Sequence, residues 1–278
     1  MNAEKPAPVY YFRFSLGTRY LHGILIAIFL GLAGTGMTLH FSDTSWARAF
    51  AHTIGGFEAI LFLHKFCALI LTAGFLLHVG EMLYRGVVKG EDGIFWGPTS
   101  LVPQSKDFVD LYRHVKWFFW LGGKPKFDRY AYWEKFDYWA VFWGMAIIGV
   151  SGYMLWFAPF FAQLLPGYML NVALLVHGEE ALLAVWFIFI IHFFNSHLRP
   201  EKFPMDPVIF TGRVSEDELR EERPLEYERL VERGRLEGLR ADAPPRWLTN
   251  FARGIAVVSI GTGFILLVLT LVAYFTGF

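Results

Sequence analysis

Histidines inside apolar stretches are the residues of this chain best suited to chemistry. The stretch 174–200, LLVHGEEALLAVWFIFIIHFFNSHLRP, is as apolar as a membrane span, yet it holds His177 near its start and His192 near its end. Ionisable residues within a span are costly and usually functional. On a regular helix these two histidines differ by about 60° in direction and about 22 Å in height. They would therefore hold two separate groups at opposite ends of one helix bundle.

Three more histidines of the apolar stretches sort with these two by depth. His64 lies near the start of the second stretch, at the depth of His177, whereas His22 and His78 lie at the depth of His192. A b-type heme with two histidine ligands needs imidazoles from different helices at one depth. His64 and His177 supply one such pair, and two of the other three supply another. The sequence therefore predicts two hemes, about 20 Å apart.

A site for a bare metal ion is the competing interpretation. Zinc or non-heme iron takes three or four ligands that converge within a few ångströms. The layer with three histidines would allow this, but the other layer offers only two histidines with Glu179 or Glu180. Because hemes explain both layers with one rule, we prefer the heme prediction.

The elements that must position these histidines are long apolar segments. Of the 278 residues, 55% are hydrophobic and 18% aromatic, which is more apolar than a soluble domain of this size. Five segments reach the about 20 apolar residues that a bilayer span requires. They are residues 20–39, 57–83, 136–157, 170–194 and 251–275. The sequence predicts an all-α integral membrane protein whose fifth span packs outside the histidine-bearing helices.

Composition excludes several other classes of function. The formal net charge is zero, so nothing in the overall charge indicates nucleic-acid binding. Cys67 is the only cysteine, which excludes disulfides within the chain, covalent CxxCH heme attachment and iron–sulfur ligation. The first residues have no short apolar core with a cleavage site, so we expect no cleaved signal peptide.

Basic residues are concentrated in alternate connections between the spans. Residues 1–19, 84–135 and 198–250 hold nearly all the Lys and Arg, whereas the two opposite loops hold only Arg48. The positive-inside rule then places the N-terminus in the cytoplasm and the C-terminus outside. Residues 107–120 have the pattern of an amphipathic helix lying on the membrane surface.

Residues 198–250 form a strongly charged segment. Ser215 with Glu218 predicts the start of a short helix, and Pro224 predicts the start of a second one that runs to about Arg233. We expect this segment to be too small and too polar to form a domain with its own core.

The chain resembles a known family in four places. These are Arg19-x-x-His22 followed by TGM, LHKF at 63–66, the lead-in 126–139 with GVSGYMLW, and the run from HGEEALL to RPEKFPMD. Together they resemble the di-heme cytochrome b subunits of formate dehydrogenase and the similar membrane subunits of nickel–iron hydrogenase and thiosulfate reductase. The resemblance covers roughly residues 12–212.

The resemblance implies a four-helix transmembrane bundle with two b hemes in residues 1–197. The charged segment 198–250, expected in the cytoplasm, and the fifth helix in 251–278 are additions to the family's pattern. Carried over by position, the outer heme would be held by His64 and His177, and the inner heme by His22 and His192.

The inner heme has an alternative ligand pair. His78 is an additional histidine at that depth, and the spacing of His177 and His192 is 15 residues, where the family usually shows 14. A pair of His78 and His192 resembles the cytochrome b of bc complexes. His22 would then be left for binding quinone or heme propionates.

The resemblance also implies partners in a bacterial inner membrane. The chain would exchange electrons with menaquinone or ubiquinone and with a periplasmic subunit, either an iron–sulfur or dehydrogenase subunit or a multiheme cytochrome c. It would be catalytic only at the quinone. Candidates for binding quinone or propionates are His78, Asn195, His197, Arg199 and Arg19; Glu179 and Glu180 are candidates for an outer proton relay or for partner binding.

Two other functions remain compatible with these residues. One is a heme-containing membrane anchor or redox sensor without quinone turnover, and the other is a transmembrane ferric or superoxide reductase.

Overall fold

The computed structural model describes residues 8–276, and the structure is 74% helical. Five helical stretches are long and apolar enough to cross a membrane: Leu16–His40, Phe57–Val88, Tyr132–Trp156, Tyr168–Leu198 and Arg246–Phe275. The five predicted spans are thereby confirmed as helices of sufficient length, and each begins earlier or ends later than predicted. The chain is a multi-pass membrane protein by this composition.

The helices follow one another along the chain as α1–α12. They are Leu16–His40, Ser45–Ile54, Phe57–Leu83, Ser105–Phe118, Tyr132–Gly144, Val150–Trp156, Ala158–Leu164, Tyr168–Phe187, Val208–Thr211, Glu216–Glu222, Pro224–Glu232 and Arg246–Thr276. A 3₁₀ turn covers Glu237–Leu239. The predicted amphipathic helix at 107–120 is α4, and the two predicted helices of the charged segment are α10 and α11.

Four π-helical turns lie in or at the end of the long helices. They cover Tyr84–Val88, Met145–Gly149, Ile188–His192 and Phe194–Leu198. A π-turn bonds residue i to i+5 and so inserts one residue into a helix without ending it. Met145–Gly149 joins α5 to α6, and Ile188–His192 continues α8, so both spans stay continuous.

The chain divides into two compact units. One, which we call the sheet unit, comprises the described residues up to Tyr20 with His78–Trp139 and Pro207–Asn250. The other, the histidine unit, comprises Leu21–Leu77, Ala140–Asp206 and the described residues from Phe251 onward.

The sheet unit contains a three-stranded antiparallel sheet. Strand β1, Tyr10–Phe12, lies between β2, Arg213–Ser215, and β3, Arg240–Ala241. Tyr10 is opposite both Ser215 and Ala241. The prediction of an all-α chain missed this sheet, because strands of two or three residues are too short to show an alternating apolar pattern.

The sheet unit also has its own apolar core. Five buried side chains form it: Tyr11, Val208, Val214, Leu219 and Leu236. Four of them come from the charged segment and one, Tyr11, comes from β1, so the segment shares a core with the chain before α1. The segment has few apolar residues, but β2, α9 and α10 bring them together, and β1 adds Tyr11.

The two short helices of this unit begin as the sequence predicts. The Ser215 hydroxyl accepts a hydrogen bond from the Glu218 backbone N–H at 3.3 Å and caps α10. Pro224 is the first residue of α11, where its missing N–H costs nothing.

A buried ion-pair cluster ties three distant segments of the sheet unit together. The Glu226 carboxylate, with 4% of its side chain exposed, accepts from Arg13 at 2.5 Å and from Arg129 at 2.7 Å. Arg129 also donates to the Arg13 carbonyl at 2.6 Å. Burial alone would raise the pKa of Glu226, but the two guanidinium groups outweigh it and hold the pKa below its ordinary value.

We expect Glu226→Gln to destabilise the sheet unit by about 3–5 kcal/mol, because it leaves the buried guanidinium of Arg13 and the partly buried guanidinium of Arg129 without their counter-charge. Hydrogen exchange of residues 208–239 in the detergent-solubilised protein measures this loss. Glu228→Gln is the matched control on the same helix. Its partner Lys126 and Glu228 itself are more than half exposed, so the expected change is about 1 kcal/mol or less. Equal changes in both variants would contradict the prediction.

The same cluster predicts a pH dependence. Because the pKa of Glu226 is lower in the folded state, its contribution to stability is present above the unfolded-state pKa and is lost as pH falls through the folded-state pKa. Exchange of this unit should therefore accelerate in acid, below about pH 4.3, the pKa of an unperturbed glutamate. Glu226→Gln should remove that part of the pH dependence.

The histidine unit has a core made by three spans. Helix α1 contributes Ala33 and Met37, α8 and its π-turn contribute Val185 and Phe189 among others, and α12 contributes Leu266. A Cβ placed on Gly263 of α12 would lie 2.5 Å from a ring carbon of Phe189. The fifth span therefore packs closely against α8.

Candidate functional site

His64 of α3 and His177 of α8 face each other inside the histidine unit. Their ring centroids are 6.2 Å apart and the ring planes are nearly perpendicular, at 84°. Two metal–imidazole bonds of about 2.0–2.1 Å, with the ring radius added at each end, place such centroids about 6.3 Å apart. One metal ion held by both imidazoles fits this separation.

The Nδ1 atoms of both rings are engaged by neighbouring helices. Nδ1 of His64 lies 2.9 Å from the Thr35 hydroxyl oxygen, whose own proton is donated to the Gly31 carbonyl at 2.6 Å. Nδ1 of His177 lies 2.9 Å from the Ile148 carbonyl. Because each partner accepts, each Nδ1 carries the proton, and Nε2 keeps the lone pair that a metal requires.

The π-turn Met145–Gly149 supplies the acceptor for His177. The Val150 N–H donates to the Ile147 carbonyl. The Ile148 carbonyl accepts from the Ser151 hydroxyl at 3.1 Å and from Nδ1 of His177 at 2.9 Å. π-turns break the regular ladder of a helix and occur often at functional sites. This one holds an imidazole in a fixed orientation.

Two glycines make room for the same pair of rings. A Cβ on Gly36 would lie 3.2 Å from Cε1 of His64, and a Cβ on Gly152 would lie 2.8 Å from Cε1 of His177. Real Cβ atoms rarely approach so closely, so each imidazole occupies the space that a larger residue would fill. The small-residue run 31–37 thus serves helix and histidine packing in this structure.

We expect Gly152→Ala to push the His177 imidazole from its place. The new methyl would meet Cε1 and disturb the bond to Ile148, and disturbed ligand orientation typically costs about 10–100-fold in metal affinity. Heme retention during washing with apo-myoglobin, a heme acceptor, measures this. Gly144→Ala is the control, because its Cβ would meet only Ile148 at 3.9 Å. Equal retention in both variants would argue against the heme assignment of His177.

His22 of α1 and His192 form a second pair in the histidine unit. Their ring centroids are 6.5 Å apart and the planes are tilted by 46°. This separation is also close to the about 6.3 Å that two ligands of one metal ion require.

The π-turn Ile188–His192 explains how His177 and His192 can serve two such pairs on one helix. On a regular helix fifteen residues rotate a side chain by about 60°, but one residue inserted by a π-turn brings the rotation near the about −40° of a 14-residue spacing. The same 14-residue spacing separates His64 and His78 on α3. The π-turn therefore compensates for the 15-residue spacing of His177 and His192.

His78 has a different environment. It belongs to the sheet unit, where its Nε2 lies 2.9 Å from the Tyr138 hydroxyl. That hydroxyl also contacts the sulfur of Met82 at 3.5 Å. The nitrogen that would bind a heme iron is thus engaged, whereas His22 faces His192.

The remaining candidates near the end of the fourth span differ in what they contact. His197 has 9% of its surface exposed, and its Nδ1 has no hydrogen-bond partner among residues 8–276. Its ring lies edge-on to Phe193 at 5.1 Å. Arg199 donates from Nε to the Asn195 backbone carbonyl at 3.2 Å, and Asn195 is half-buried.

Arg19 and the two glutamates lie elsewhere. Arg19 donates from Nε to the Phe210 carbonyl at 2.7 Å within the sheet unit, so this contact holds α9. Glu179 is exposed. Glu180 is half-buried and accepts from the Trp143 indole at 3.3 Å.

Sequence reasoning missed the residues that orient the first pair. Thr35 lies within the small-residue run of α1, and Ser151 lies between two glycines of GVSG. A lone hydroxyl residue among glycines inside a span was the available signal, because it places a hydrogen-bonding group where another helix approaches closely. The contribution of the Ile148 carbonyl carries no sequence signal.

Within residues 8–276, no three His, Cys, Asp or Glu side chains are grouped so that they could hold a metal ion. No protein-family model matches the chain, and no curated protein matches it.

Proposed function

We propose that this protein is a di-heme cytochrome b that links a quinone pool to a partner redox subunit across a membrane. The observation that carries the proposal is the pair His64 and His177, at 6.2 Å between ring centroids and with both Nδ1 atoms engaged. This arrangement supports the proposal that the two Nε2 atoms would bind one iron. The second pair, at 6.5 Å, repeats the separation at the other end of α8.

The residues present fit two b hemes with two histidine ligands each. His64 and His177 would hold one, and His22 and His192 the other, within a bundle of α1, α3, α5–α6 and α8. When bound, the hemes supply two one-electron carriers on the order of 20 Å apart. Gly36 and Gly152 keep the imidazole positions open, and Thr35 with Ile148 fixes their tautomer.

The sheet supports the predicted topology. β1 pairs with β2, so the chain before α1 and the chain after α8 lie on one side, with an even number of crossings between them. The hydrogen bond from Arg129 to the Arg13 carbonyl favours the same side for the 84–135 connection. These are the basic segments, so the positive-inside rule favours the cytoplasm for this side.

The quinone site of this proposal lies beside the His22–His192 pair. Quinone reduction takes up protons with electrons, so it needs a titratable group at the pocket. His197 supplies one, because its Nδ1 is buried and unpaired among the described residues. Arg199 and Asn195 lie on the same turn and would bind a quinone carbonyl or a propionate. On the opposite side, exposed Glu179 suits contact with a partner subunit, either an iron–sulfur or dehydrogenase subunit or a multiheme cytochrome c.

The test is the visible spectrum of the purified protein during addition of a quinol. We expect a b-type α-band that titrates with two midpoint potentials. Menaquinol or ubiquinol should reduce both hemes. A purified protein without heme would contradict the proposal. Hemes that no quinol reduces would favour an anchor or sensor, and reoxidation by ferric chelate alone would favour a ferric reductase.

A further inference from the structure

The sheet unit contains a cavity whose lining is strongly basic. Its volume is about 450 Å³, within the range of small-molecule sites. Five of the nine lining residues are cationic: Lys106, Arg113, Lys116, Lys124 and Lys126. The others are Gly122, Gly123, Pro125 and Leu225. A chain of zero net charge has therefore gathered five cations around one cavity.

Most of this charge is not neutralised within the protein. Lys106 pairs with Asp110, and Lys126 pairs with Glu228 at 3.3 Å. Arg113 and Lys124 form no ion pair with any residue of the described part of the chain, and Lys116 lies over the Tyr112 ring at 5.6 Å. Three cations thus remain for an anionic ligand, and a cavity that concentrates one sign of charge attracts such ligands.

An exposed apolar surface adjoins the cavity. Phe108, Tyr112, Val115 and Phe119 follow a helical spacing and are all exposed. Around α4, Lys116 lies about 100° from Val115. The basic side therefore begins at the flank of the apolar face, where lipid phosphates lie if that face enters the bilayer.

The end of α4 indicates a membrane contact independently of the charges. Trp120 adopts a left-handed backbone conformation, with φ 57°, in a position that favours glycine. Leu121 N–H then bonds back to the Lys116 carbonyl at 2.8 Å. The Trp120 side chain is 91% exposed, so packing within the protein does not explain it. An exposed indole at a helix end is typical of the membrane interface.

We propose that this cavity binds the phosphate headgroup of an anionic phospholipid. The unpaired cations Arg113 and Lys124 contact the phosphate, Lys116 reaches it from the flank of α4, and the indole of Trp120 lies at the level of the headgroups. Gly122 and Gly123 border open space, since a Cβ on either would meet nothing within 4 Å. This inference does not depend on hemes.

Native mass spectrometry of the full-length protein, titrated with phosphatidylglycerol or phosphatidylcholine, tests the proposal. We expect preferential binding of phosphatidylglycerol. The double variant Arg113→Gln, Lys124→Gln should weaken it about tenfold or more, since each cation near the surface contributes about 1 kcal/mol. The control is Arg233→Gln, Arg235→Gln, which removes the same charge from exposed positions of the same unit. Equal loss in both, or no preference between the lipids, would overturn the proposal.

Two further measurements test whether the variants are folded and whether the bound phosphate belongs to a lipid or to a soluble compound. Glu228→Gln releases Lys126 and should strengthen phosphatidylglycerol binding by a few-fold, which a misfolded variant would not do; unchanged or weaker binding counts against the proposal. Inorganic phosphate at millimolar concentration should leave the lipid bound. If it displaces the lipid through Arg113 and Lys124, the site belongs to a soluble phosphate compound and the lipid assignment is wrong.

Discussion

Replacing His177 with glycine is expected to leave one heme per protein instead of two. His64 would then face an empty position, and a single imidazole with its hydrogen bond to Thr35 cannot supply both axial ligands. Because α8 packs mainly through other residues, such as Leu182 and Val185, the helix should persist. The heme content measured as the pyridine hemochrome, divided by the protein concentration, should fall by half.

Two controls separate ligand loss from a damaged fold. His52→Ala removes an exposed histidine of α2 and should retain both hemes. Adding free imidazole to His177→Gly should restore the second heme, because the small molecule can occupy the space of the missing ring. Two hemes in His177→Gly without imidazole would show that His177 is not a ligand.

Replacing His22 and His78 separately is expected to give opposite results. His22→Ala should lose one heme, because His22 lies across from His192 at 6.5 Å between ring centroids. His78→Ala should keep both hemes, since Nε2 of His78 is engaged with the Tyr138 hydroxyl. The heme-to-protein ratio distinguishes the two outcomes directly.

The spectrum adds a second readout to this comparison. In His22→Ala the remaining heme should keep the potential of the His64–His177 site, so the potentiometric titration becomes a single step. Tyr138→Phe is the control for the environment of His78 and should retain two steps. If His78→Ala loses a heme while His22→Ala keeps both, the ligand pair is His78 and His192, and His22 has another role.

The spans and the histidine layers could be predicted because they depend on local sequence. About 20 apolar residues in a row are sufficient to indicate a span, and the positions of His64 and His177 near the starts of the second and fourth spans place them at one depth. The pairing of His22 with His192 could be predicted only from the family resemblance, because His78 is expected at the same depth. The orientation of the rings required tertiary contacts with Thr35 and Ile148.

The sheet unit and the π-turns could not be predicted, for two different physical reasons. Strands of three residues have almost no periodicity, and β1 finds its partners some 200 residues later in the chain. A π-turn such as Ile188–His192 depends on packing, because its residues also suit a regular helix. The 15-residue spacing of the two histidines was the one sign of it.

The middle strand of the sheet also sets an order of events during synthesis. β1 is made first, but both of its neighbours, Arg213–Ser215 and Arg240–Ala241, are made only after four spans have emerged. At about 5–20 residues per second, roughly 10–40 s pass between the strands. Tyr11 has no core to enter during that interval. Closure of the sheet therefore requires that the first four spans have already been synthesised.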